Sequence, residues 1–123
     1  MNVERVNYVV IKEKGIVIAT ISECEYDAFE VFDSKFMLPS THYLALCPSD
    51  EHERFMMPYQ FSVVAKMHPE DEWDEEFGKK VALKKLSEKY NSSLDKHIAN
   101  MYNALKSVLE KAEVYLDNRD LLK

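Results

Sequence analysis

Glycine occurs only twice in the 123 residues, at Gly15 and Gly78, which excludes the phosphate-cradling loops that nucleotide enzymes build on several glycines. Cysteine is as scarce. Cys24 and Cys47 form no CxxC pair and have no His-rich companion motif, so a zinc site or redox dithiol lacks support and both read as reduced, buried small hydrophobes. Arginine is limited to Arg5, Arg54 and Arg119, and 16 basic side chains stand against 22 acidic ones, for a formal net charge of −6. This balance disfavours a sequence-independent binder of long nucleic acids, which depends on phosphate neutralisation. No run approaches the roughly 18 apolar residues of a membrane helix, and residues 1–6 lack the apolar core of a signal peptide, so a cytoplasmic protein is expected. What is present is ordinary globular material, 46% hydrophobic and 31% charged. It suits one domain over residues 1–123 with a real core.

The β-branched runs at 7–11 and 16–21 flank Lys12-Glu13-Lys14-Gly15, where glycine can take a positive φ, and together they read as a hairpin. Residues 27–32 read as a helical turn or short helix that ends before Pro39, and 41–47 as a further strand stopped by Pro48. Over 59–68 the chain alternates. Tyr59, Phe61, Val63, Ala65 and Met67 would face the core, leaving Gln60, Ser62, Val64, Lys66 and His68 to water or to a polar pocket. The fold class is therefore α+β, with a mainly antiparallel N-terminal sheet over 1–68 followed by two C-terminal helices.

The first of these is expected over 69–90. Six carboxylates (Glu70, Asp71, Glu72, Asp74, Glu75 and Glu76) open it and five lysines follow, an order that complements the helix macrodipole. A calcium or magnesium site is the alternative, but the spacing does not match the EF-hand loop and no glycine makes its turn. Trp73, Phe77, Val81, Leu83, Leu86 and Tyr90 form no single stripe, which suggests packing on two partners. The second helix is expected over 91–118, with Asn91-Ser92-Ser93 as its cap. Leu94, Ile98, Met101, Leu105, Val108, Ala112 and Tyr115 recur at heptad spacing, widened by Tyr102, Leu109 and Leu116. At 1.5 Å per residue such a helix spans roughly 40 Å, against an expected radius of gyration of about 14 Å for a domain of this size. Part of the seam is thus expected to meet a second copy in a homodimer or higher homo-oligomer, the alternative being a helix that lies across its own sheet.

Catalytic chemistry is hard to furnish. His42, His52, His68 and His97 match no metal-ligand pattern, and His42 and Cys47 sit at an odd separation that puts them on opposite faces of one strand. Binding is easier to furnish, because a small anionic nucleotide needs a few cations, hydrogen-bonding groups and an aromatic plane. On chemistry alone the candidates are Arg119 and Arg54 for charge, Tyr102 and Phe77 for stacking, Asn100 and Asn103 for a purine edge, and Lys66 and His68 on the polar face of the last strand. Trp73 is a further stacking candidate. Each also has a plain reading as core or solvated surface. No cofactor and no metal are expected.

The stretch 63–82, VVAKMHPEDEWDEEFGKKVA, resembles a strand-to-helix signature of small phage and bacterial proteins, AKCHPED-FDEE-GK-LA, which follows a hairpin similar to Gly15-Ile16-Val17-Ile18-Ala19. Met67 replaces the cysteine of that pattern and Trp73 its phenylalanine. The signature is shared with proteins resembling double-stranded-RNA-binding domains. Length, hairpin, acidic helix start and C-terminal helices together look most like the phage Thoeris anti-defence sponges of the first type, the Tad family. That resemblance implies an oligomeric phage protein without turnover. It would hold glycocyclic ADP-ribose signals, and in some members cyclic oligonucleotides, intact in pockets at the subunit interface. It assigns no binding residue here. The competing readings are an RNA-binding-like module, a protein inhibitor of a host enzyme, and a hydrolase of the same signals.

Overall fold

The hairpin forms as its sequence demands. Strand β1, Asn7–Ile11, pairs antiparallel with β2, Ile16–Ile21, in a register that sets Val9 opposite Ile18 and Ile11 opposite Ile16. Between them Lys12–Lys14 makes one 3-10 turn, and Gly15 closes it in the left-handed region at φ 62°, where an L side chain is disfavoured. In this computed structural model residues 1–36 and 55–119 are described, without the side chains of 32–36. Strand β3, Phe61–Lys66, pairs antiparallel with β2 and completes a three-stranded sheet of order β1-β2-β3. The expected strand at 41–47, with Cys47, His42 and His52, lies outside the described residues.

Alternation then decides what is buried. Val17, Ala19 and Ile21 of β2 and Phe61 and Ala65 of β3 point to the core, whereas Ser62, Val64 and Lys66 are exposed. Tyr59 does not join them. It is exposed because it precedes the strand, and its carbonyl accepts the Cys24 N–H at 3.0 Å. Cys24 is fully buried, in keeping with the small-hydrophobe reading, and its thiol donates to the Ser22 carbonyl at 3.6 Å.

Helix α1 covers Asp27–Phe36 and α2 covers Glu75–Asn118. The α+β class thus stands, but the two expected C-terminal helices are one. Asn91, Ser92 and Ser93 are interior to α2. Their side chains cap only where backbone N–H groups lack carbonyl partners, and with no proline or glycine after Gly78 nothing interrupts the ladder. The start also differs, since α2 begins at Glu75 and not at 69. Asp71 N–H donates to the His68 carbonyl at 3.0 Å in a turn, and Asp74 Oδ1 accepts the Phe77 N–H at 3.1 Å as the cap. Only Glu75 and Glu76 of the six carboxylates lie in the first helical turn.

The chain divides into two compact units, 1–26 with 57–94 and 27–56 with 95–123. In the first, α2 lays Gly78, Ala82, Leu86 and Tyr90 at four-residue steps on the sheet. The stripe is graded by size. A Cβ on Gly78 would lie 2.9 Å from Val17 Cγ2, while at the other end the Tyr90 ring meets Phe61 edge-on with centroids 5.7 Å apart. Helix backbone and strand therefore approach closely near Val17 and are spaced by an aromatic ring near Phe61.

Arg5 fastens the chain leaving β2. Its Nη2 donates to the carbonyls of Ser22 at 2.7 Å and Glu23 at 3.0 Å, around a Glu23 backbone held at φ 62°. Both bonds leave the one Nη2 atom, and the ammonium of a lysine, on a side chain one atom shorter, falls short of the two carbonyls. Arg5→Lys is expected to lower the unfolding free energy by about 1 kcal/mol in chemical denaturation, and an unchanged midpoint would show that the turn holds itself.

In the second unit the described buried residues are Asp27, Ala28, Phe29, Phe55 and Met101. The heptad seam changes character along its length. Met101 is fully buried and Leu94, Ile98, Leu105 and Val108 are half-buried, while Leu109, Ala112, Tyr115 and Leu116 are exposed, as is Tyr102.

Candidate functional site

The close approach at Gly78 shapes a cavity in the first unit. Beyond Lys66 the β3 backbone continues alongside the hairpin turn, with Met67 N–H donating to the Gly15 carbonyl at 2.7 Å, and then bends through the His68–Asp71 turn toward the start of α2. The space between this bend, the sheet and the first turns of α2 has a volume of about 620 Å³. That lies within the range of small-molecule sites, roughly 300–1,000 Å³.

The apolar part of its lining comes from Val17 and Ala65 on the inner sheet face and from Val81 and Met67. Gly15 and Gly78 add no bulk. Two aromatic residues complete it, Trp73 half-buried and Phe77 64% exposed, on either side of the Asp74 cap. A phenylalanine so exposed loses most of its burial free energy, so it is not there for the core. The polar lining is Lys66, His68, Asp71, Glu72 and Asp74. His68 Nδ1 accepts the Glu70 N–H at 3.3 Å, which leaves Nε2 as the donor of the neutral ring.

Four of the nine binding candidates expected from sequence, Lys66, His68, Trp73 and Phe77, are brought together here. Asn100, Tyr102 and Asn103 lie on the later part of α2, and Arg119 one residue past its end, all in the second unit and none lining the cavity. Arg54 lies outside the described residues. Sequence reasoning missed Asp71, Glu72, Asp74 and Gly78. The carboxylates were read as helix dipole partners, and the available signal was Pro69, which separates an alternating strand from a helical pattern and leaves the acidic stretch in between as a loop.

Among the described residues no group of three or more His, Cys, Asp or Glu side chains is placed to hold a metal ion. No helix among them is long and apolar enough to cross a membrane. No known protein family, curated protein or solved structure matches this chain.

Proposed function

We propose that this protein binds a small molecule and keeps it intact, and that the ligand is a signalling nucleotide of the cyclic ADP-ribose type, sequestered in the cytoplasm of an infected bacterial host. The observation that carries this reading is the cavity beside α2, where exposed Phe77 and half-buried Trp73 offer stacking surfaces next to Lys66 and His68. Stacking on an aromatic side chain contributes about 1–3 kcal/mol per base. A sponge that outcompetes a receptor at nanomolar concentration needs about −12 kcal/mol in all. The remainder would come from enclosure of the ligand; separately, the bare end of the seam, Leu109, Tyr115 and Leu116, offers a second copy an apolar face.

After incubation with cyclic ADP-ribose-type signals and removal of free ligand, heating the protein is expected to release the unmodified nucleotide, identified by mass spectrometry. Recovery of a cleaved product would instead mark a hydrolase, and no retention together with no thermal stabilisation would overturn the reading. Light scattering that gives a monomer mass at micromolar concentration would remove the second copy from it.

A further inference from the structure

The charge around the cavity has the wrong sign for a phosphate. The lining holds three carboxylates, Asp71, Glu72 and Asp74, against one lysine, Lys66. Several backbone donors beside the cavity are also committed. Phe77 N–H goes to Asp74 Oδ1 at 3.1 Å and Gly78 N–H to the Asp74 carbonyl at 3.0 Å, so the first turn of α2 already carries its own carboxylate cap. Gly15 N–H donates to Lys12, Met67 N–H to Gly15 and Asp71 N–H to His68, at 3.0, 2.7 and 3.0 Å, and Glu70 N–H to His68 Nδ1 at 3.3 Å. What the cavity offers in quantity is aromatic surface and carboxylate oxygens. These match a flat ring and groups that donate hydrogen bonds, such as amines and vicinal hydroxyls.

We propose that the cavity receives the flat aromatic part of its ligand, a group with hydrogen-bond donors on its edge and no negative charge, and that any phosphate of that ligand stays outside. This rests on the reading of the cavity as a small-molecule site. The ring lies against Phe77 and Trp73, and Asp71 and Glu72 accept from its donors. For a nucleotide the consequence is an orientation, with the nucleoside in the cavity and the phosphates beyond the acidic rim. The carboxylates then act as a filter against free polyphosphates, because an anion entering between them meets repulsion that a neutral nucleoside does not.

Calorimetric titration of the full chain with adenosine, adenosine monophosphate, inorganic pyrophosphate and cyclic ADP-ribose tests this. Adenosine is expected to bind, the monophosphate to bind no tighter than adenosine, and pyrophosphate not to bind. Phe77→Ala, and separately the double change Asp71→Asn with Glu72→Gln, should weaken adenosine at least tenfold. All three side chains are exposed, so these variants are expected to keep the wild-type melting temperature. Pyrophosphate binding, a monophosphate held tenfold tighter than adenosine, or full adenosine affinity in both variants would overturn the proposal. Cyclic ADP-ribose binding untouched by either variant overturns this placement and leaves the nucleotide reading standing. The expected adenosine pattern without cyclic ADP-ribose binding does the reverse, and failure of every probe to bind overturns both.

Discussion

Leu86→Ala lowers the unfolding free energy of the protein by about 3 kcal/mol, seen as a fall in the denaturation midpoint with an unchanged slope on denaturant. Leu86 has no exposed surface and belongs to the stripe that α2 lays on the sheet between Ala82 and Tyr90. The loss has two parts, the transfer free energy of the removed methyl and methylene groups and the cavity left where strand and helix are held apart by Tyr90 on Phe61. A loss below about 1 kcal/mol would mean that the helix settles into the gap, and the stripe would then be a loose seam and not the core of this unit.

Gly78→Ala is expected to destabilise the protein by up to about 2 kcal/mol, although alanine is the better helix former. Helix propensity favours the change by about 1 kcal/mol, whereas overpacking a dense core costs about 1–3. The second effect wins because the new Cβ would stand 2.9 Å from Val17 Cγ2, and Val17 cannot yield easily. It is 1% exposed, its strand is paired on both sides, with Val10 and with Ala65, and its branched side chain is stiff at χ1. Pairing the change with Val17→Ala should recover about 1 kcal/mol relative to the sum of the single effects in a double-mutant cycle. Stabilisation by Gly78→Ala alone would show that α2 moves away from the sheet at no cost. Because Gly78 and Val17 both line the cavity, the same substitution is expected to alter ligand affinity as well.

The elements that the sequence made legible are those with a local cause. Gly15 in the left-handed region, the β-branched runs on either side of it and the two-residue alternation through Phe61–Lys66 each act over a few residues, and the sheet follows from them. The helix boundaries were less legible. Asn91, Ser92 and Ser93 have the chemistry of a cap but lie inside α2, since capping is a response to unpaired backbone groups and cannot by itself create an end. Similarly, the acidic stretch 70–76 looks like one feature along the chain. In space its members differ, with Glu75 and Glu76 in the helix, Asp74 as its cap, and Asp71 and Glu72 on a cavity wall.

The scarcity of glycine gains a sharper meaning in this light. With two glycines the sequence lacks the multi-glycine loops that cradle phosphates, and the two serve one in a hairpin turn and one where helix meets strand. By itself the sequence determined the α+β class, the hairpin, the buried face of β3 and the presence of an amphipathic C-terminal helix, because periodicity and turn chemistry are properties of neighbours along the chain. Only the tertiary structure decided that Lys66, His68 and Phe77 share one cavity with Trp73 and three carboxylates, and that Tyr102 and Asn103 do not. That grouping depends on how closely α2 approaches β2, and the approach is set by the missing side chain of Gly78 against Val17, residues 61 positions apart that no local pattern connects.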